Sequence, residues 1–344
     1  MPAAAPIRTC VLLCSLFLIA RRVPAQMPPV GRIEVFGHPK SVQRVRAIVA
    51  DLEGRAVAVE VRARERLIAE LPGVAEAKIE AVCCDGGFTT LYIGVRGEGD
   101  PTPRFDSPPT GAARLPAELV ALGERFERAL ADAVRRGVVG DDLSAGHSML
   151  ADSGARAVQK EFIGAASEHA PRLREVLATS ADPGHRALAG QILAYSPDKD
   201  AIAPDLVAAV RDPDPAVRNA AMRALWIMAG YAAANPDRRL EIAPEPFIDL
   251  VHSIVWTDRN KASLVLMELS ASRDSALLEM LRARAFEPLV AMACWENPGH
   301  ALPGLVMLGR MAGLTDDAIF AAVSAGRKEP IIEAALRLAP RPDR

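Results

Sequence analysis

The sequence predicts a mainly α protein, a solenoid of stacked helical hairpins preceded by a small α+β domain of order βααββ. Three observations carry this. From residue 116 onward apolar residues recur at three- and four-residue spacing almost throughout. Turn signals built on Asp or Asn with Pro or Gly return along that stretch. Ahead of it, short alternating runs bounded by Gly and Pro read as strands. With 344 residues, half of them hydrophobic, the chain can build two cores. Its 41 Lys plus Arg against 43 Asp plus Glu leave no basic excess to neutralise phosphates. Aromatics at 4% leave few platforms for stacking single-stranded bases. Nucleic acid is therefore not the expected partner, and five cysteines are too few for a disulfide scaffold.

Residues 1–25 read as a signal peptide. Arg8 precedes an apolar run, Val11 to Ala20, too short to span a bilayer. Val23-Pro24-Ala25 then places small residues two apart, which suits cleavage before Gln26. Whether cleavage occurs stays open. An exported, periplasmic or secreted protein of a bacterial envelope is expected, with no integral membrane segment after cleavage. Loss of this peptide leaves Cys83, Cys84 and Cys294, an odd number; Cys294 is expected to be a buried helix residue, and the adjacent pair either free or a metal or redox feature.

Residues 31–97 form the expected small domain. Ile33 and Val35 alternate with charged neighbours in a first strand. A helix opening at Pro39 carries Val42, Val45, Ile48, Val49 and Leu52 on one face. A second carries Leu67, Ile68 and Leu71 and stops at Pro72-Gly73. Strands over 74–82 and 88–96 follow, the latter alternating Leu91, Ile93 and Val95, with residues 83–87 as a hairpin turn. This order, with its Ile-x-Val-x-Gly opening and Leu71-Pro-Gly-Val74 before the second strand, loosely resembles the POTRA domain of envelope proteins. The resemblance implies a module that pairs peptide strands along a sheet edge.

Residues 98–115, rich in Pro and Gly, read as an extended linker. Residues 116–166 form a helical cap, whose first helix places Leu119, Leu122, Phe126, Leu130 and Val134 on one face. The repeats occupy 167–340. Their turns are expected at Asp182-Pro-Gly-His-Arg186, at Asp212-Pro213 and around Asp258 and Asn297, at spacings of 30, 46 and 39 residues. The run Asp212-Pro213-Asp214-Pro215-Ala216-Val217-Arg218 closely resembles the turn and second helix of the HEAT repeat. That resemblance spans roughly Glu168 to Leu338 and fades after Asp258, where the valine–arginine pair is missing. Gly146-His147-Ser148 ahead of the repeats resembles a segment of bacterial HEAT-repeat proteins. One helical pair cannot hide its apolar face, so successive pairs must stack into a common core. Asp212 is expected to accept from turn amides, Arg218 to meet an acid or carbonyl of the adjoining repeat, and Val217 to face the core.

No catalytic, cofactor-binding or metal-binding residue is expected. The six histidines lack a ligand spacing, although His147, His169 and His185 lie in successive elements. No nucleophile elbow, phosphate loop or dinucleotide fingerprint occurs. Asp141 and Asp142 read as helix-capping acids. Trp226, Trp256 and Trp295 read as packing residues within helices. The resulting expectation is a non-catalytic adaptor that holds protein partners on the concave face of its helical stack. The alternatives are a component of an envelope assembly machine, through the POTRA-like domain, and an enzyme or accessory related to HEAT-like bilin lyases.

Overall fold

The structure, a computed structural model, describes residues 27–339 apart from 57–59, 86, 139, 236 and 238–239. The expected signal peptide over 1–25 lies outside the described residues, as do the side chains of Cys83 and Cys84.

β1 (Val30–Gly37) leads through a 3-10 turn to α1 (Val42–Val49), then α2 (Glu60–Ala69), β2 (Val74–Asp85) and β3 (Phe88–Gly97). β3 is the central strand, parallel to β1 and antiparallel to β2. Parallel pairing needs a crossover, and the two helices supply it. Val45 and Val49 of α1 and Ile68 of α2 pack on Leu91, Ile93 and Val95 of β3. Leu67, expected on the same inner stripe, is exposed, because Ile68 beside it takes the inward position. Cys83 stands opposite Thr89 and Asp85 opposite Phe88, so the backbone at the cysteines, expected to turn, continues the strand.

The described residues fall into two compact units, Arg104–Pro246 and residues 27–103 together with 247–339. The first contains α3 (Ala117–Arg135), a short hairpin of β4 (Asp141–Asp142) and β5 (Met149–Leu150), α4 (Ser153–Glu168), α5 (Ala170–Thr179), α6 (Pro183–Leu193), α7 (Lys199–Ala209) and α8 (Pro215–Ala234). Asp152, Asp182, Asp198 and Asp214 each accept from main-chain N–H groups at the starts of α4, α6, α7 and α8. Such caps satisfy donors that a helix start leaves orphaned, which is why the aspartates mark the turns. Asp141 and Asp142 do not cap a helix, contrary to expectation; they form β4.

The second unit joins the sheet to the later helices: α9 (Glu245–Leu250) at the boundary, α10 (Trp256–Leu269), α11 (Ser275–Arg284), α12 (Phe286–Ala293), α13 (Pro298–Met311), α14 (Asp316–Ser324) and α15 (Glu329–Leu336). α13 is its centre and touches α10, α11, α12, α14 and α15. The sequence reading sets boundaries after residues 97 and 115 and keeps every helix beyond 116 together. The contacts instead group residues 104–115 with α3–α8, and the sheet with α10–α15. The reason lies in β3, which reads as half-buried from its alternation. Thr90 and Tyr92 are as inaccessible as Leu91 and Ile93, so both faces of the strand are covered.

Three expectations change in this unit. Residues 257–262, read as a repeat turn around Asp258, lie inside α10, and Asp258 is fully buried there. Trp295 is buried but sits between α12 and α13, outside a helix. Cys294, expected to be buried, is the exposed C-cap residue of α12, where the chain leaves the apolar stripe carried by Leu289, Met292 and Ala293.

Candidate functional site

The repeat turns share one construction. An arginine in the first turn of the second helix folds back and donates to a carbonyl six residues earlier: Arg186 to Ser180 at 2.8 Å, Arg218 to Asp212 at 2.8 Å, and Arg259 to Ser253 at 2.6 Å. The register marks are therefore Ser180, Asp212 and Ser253, not Asp182, Asp212 and Asp258. Asp182 caps α6 through Gly184 and His185. Asp258 accepts from the Ser253 hydroxyl at 2.8 Å, so serine organises that turn from outside the helix and aspartate answers from within. The arginine spacing is present in the sequence and marks the turns that the aspartates alone do not.

Arg186 and Asp212 form the buried link between successive pairs. Nε and NH2 donate to the two carboxylate oxygens at 2.7 and 2.8 Å, the fork-to-fork geometry that arginine favours. Asp212 also accepts from the Asp214 amide at 2.8 Å, as expected. Arg218 meets the carbonyls of Asp212 and Pro213 in its own turn. Val217 is buried beside it in α8.

Residues 104–115 are extended but docked along these turns. The Asp106 amide donates to the Arg211 carbonyl at 2.8 Å. Gly111 donates to the Thr179 carbonyl and accepts from the Ala181 amide, each at 2.8 Å, which makes one parallel bridge to Ser180. The Leu115 amide donates to His185 Nδ1 at 3.0 Å, and the Phe105 ring lies 4.0 Å from the Arg218 guanidinium carbon. A side chain at Gly111 would begin 2.4 Å from the Thr179 oxygen, so the approach demands glycine.

The β4–β5 hairpin presses a polar cluster into the same unit. Asp141 accepts from the Ser148 hydroxyl at 2.7 Å and from Arg223 at 2.9 Å. Gln159 donates to the Ser148 carbonyl and to the Tyr195 hydroxyl, and accepts from the Leu150 amide. Burial pushes the Asp141 carboxyl up, against Arg223 and Ser148, which pull it down. His147 lies against the Tyr195 ring, 3.4 Å from Lys199 Nζ. Burial and that lysine push the imidazole down to about 4. Lys199 donates to the Ala194 carbonyl at 2.7 Å, and burial pushes its amine down to about 8. Beside it opens a small recess walled by Ala145, Pro197, Asp200, Met228, Tyr231, Ala232 and Leu240. Gln159, Tyr195, Lys199 and Arg223 carried no sequence motif. The one available sign was a lysine at the first position of a helix, where the macrodipole disfavours a cation.

His169 links α4 to α5 and His185 serves residue 115, so the three early histidines have separate partners or positions. Among the described residues no group of three or more His, Cys, Asp or Glu could hold a metal ion.

In the sheet-bearing unit the far face of β3 meets α10 and α13. Tyr92 stacks on Trp256 with centroids 4.8 Å apart, meets Trp295 edge-on at 5.2 Å, and its hydroxyl contacts His300 Nδ1. Two strand carboxylates serve helix-start amides. Glu80 accepts from the Trp256 amide, and Glu34 from the Glu296 amide at 2.6 Å. Burial pushes Glu80 up to about 7 and His300 down to about 3.

Comparison with known families matches HEAT repeats to residues 170–237, the stretch from the start of α5 through α8. No curated protein matches the chain. Residues 170–237 thus carry HEAT repeats, within a mainly helical protein that also has a small amino-terminal sheet.

Proposed function

We propose that this protein is an exported, non-catalytic scaffold that holds protein partners on the helical faces of its HEAT repeats, on the concave side that stacked pairs generate. The observation that carries the reading is the HEAT match over α5–α8, a repeat that generally mediates protein–protein interaction. The polar groups there support it. Arg186, Asp212 and Arg218 are engaged in holding the turns together, which leaves surface side chains to make the contacts. No helix among the described residues is long and apolar enough to cross a membrane. Export rests on the signal-like segment over 1–25, and the bacterial envelope is the compartment it suggests.

A second reading, a POTRA-like role in an envelope assembly machine, draws on the βααββ order with β3 central. One detail weighs against strand addition at the β2 edge. The outward amide of Ile79 already donates to the Glu65 carboxylate at 2.8 Å, and an inward-leaning charge is a common way to blunt an edge.

A photo-crosslinking residue placed singly at exposed Arg174, Ala178, Ala201 and Ala208 in the full chain tests the scaffold. Expressed with its own leader, the protein should yield discrete protein adducts from these positions in the envelope fraction. Adducts arising only from the β2 edge would favour the second reading, and residence in the cytosolic fraction would overturn export.

A further inference from the structure

We propose that Lys199 is a covalent capture site for a small aldehyde, its Nζ adding to the carbonyl carbon within the recess at the start of α7 to form an imine. This inference does not depend on the scaffold reading. The lysine is held where its charged form gains little: among the described residues its partners are the Ala194 carbonyl at 2.7 Å and His147 Nδ1 at 3.4 Å, with no carboxylate in ion-pair range. The walls beside it mix apolar groups, from Met228, Ala232, Leu240 and Pro197, with the Tyr231 ring and the polar Asp200. The hairpin turn fits closely over the lysine stem. A side chain at Gly146 would begin 3.2 Å from Lys199 Cε and 3.1 Å from the Tyr231 ring. Desolvation of this kind prepares an amine for attack on a carbonyl.

A neutral Nζ can give one hydrogen to the Ala194 carbonyl and keep its lone pair for the recess. The lone pair attacks the carbonyl carbon, and the C=O electrons move to oxygen. One Nζ proton passes to that oxygen through water at the open side of the recess, giving the carbinolamine. The second Nζ proton then leaves with the oxygen as water, and the C=N bond closes. Aldehyde and amine become imine and water, and no oxidant or reductant is consumed. The recess is small and open on one side, which selects a short aldehyde over a bulky aromatic one.

The test treats the full chain at pH 7 with acetaldehyde and cyanoborohydride, and reads ethylation of each lysine by peptide mass spectrometry. Lys199 should be modified about 10-fold faster than exposed Lys40 and Lys160, since its larger neutral fraction outweighs its lower intrinsic nucleophilicity. Ala145→Phe, an exposed change at the mouth, should slow Lys199 while leaving Lys40 and Lys160 unchanged. Labelling of Lys199 no faster than Lys160, or no response to Ala145→Phe, would overturn the proposal.

Discussion

The two compact units cover the same kind of surface, the turns between paired helices, by different chemistry. In residues 104–246 an extended strap does it with main-chain bonds at Asp106 and Gly111, and with one aromatic ring on Arg218. In the sheet-bearing unit a strand face does it with Tyr92 among the tryptophans and with the carboxylates of Glu34 and Glu80. A main-chain strap asks little of sequence beyond a glycine where backbones touch. An aromatic face asks for particular side chains in particular places, buries far more apolar surface, and brings titratable groups out of water. The sheet should therefore be the less tolerant cover, and the more sensitive to pH.

Breaking the turns themselves should cost most. Arg186→Met leaves the Asp212 carboxylate buried beside an apolar chain, and losing one partner of such a pair costs about 3–5 kcal/mol. Urea denaturation of the full chain should show this; a loss below about 1 kcal/mol would mean that the pair does not tie the repeats together. A matched pair of glycine changes then sets sheet against strap. The position a Gly94 side chain would take lies 2.0 Å from the Ile254 carbonyl oxygen, so Gly94→Ala must part the sheet from the helices, at about 2–3 kcal/mol. Gly111→Ala strains only an extended segment that can lift into solvent, and about 1 kcal/mol is expected. Equal effects in thermal melting would erase the distinction. Phe105→Ala should cost least among the mutations, about 0.5–1 kcal/mol, because its ring is 40% exposed over Arg218. Faster proteolysis near residue 104 would accompany it.

The pH response sharpens the same contrast. Glu80 titrates at about 7 when folded, against 4.5 as the ordinary value. A raised carboxyl contributes stability that is present below 4.5 and lost as pH climbs through 7. His300, pushed down to about 3, works in the opposite sense: its contribution is present above 6.5 and lost as pH falls toward 3. Between pH 4.5 and 6.5 the two effects oppose each other, so Glu80→Gln should make stability climb more steeply with pH in that range. In the other unit Glu127, pushed up to about 7 by burial, and His147, pushed down to about 4, oppose each other over the same range and form a background common to both proteins. Denaturation midpoints from pH 4 to 8 would show both features, and an unchanged slope in Glu80→Gln would remove Glu80 from the account.

Local chemistry was readable wherever it acts within a few residues. The βααββ order, the start of α8 at Asp214-Pro215 and the amphipathic face of α3 all follow from caps, breakers and periodicity. The cluster around Lys199 was not, because its members come from a hairpin, three helices and the turn before α7, and beyond the adjacent His147-Ser148 they lie far apart in sequence. Two further features are legible in the sequence. The recurrence of Arg186, Arg218 and Arg259 gives the turn register, and the uncharged run from Phe88 to Val95 warns that both faces of that strand are covered. The apolar neighbours of Cys294 predict a buried residue, yet the helix ends one residue before it and its side chain leaves the buried stripe.

By itself the chain's order of residues determined the element types, the capped turns and the need for helical pairs to stack, since these depend on φ/ψ preference, on caps and on hydrophobic period. Tertiary structure alone decided that residues 104–115 strap the first set of turns, that the sheet gives its second face to α10 and α13, and that Lys199 sits beside His147. Each of these contacts joins residues far apart in sequence, and its energy comes from apolar area and dehydrated polar groups that exist only once the elements have met.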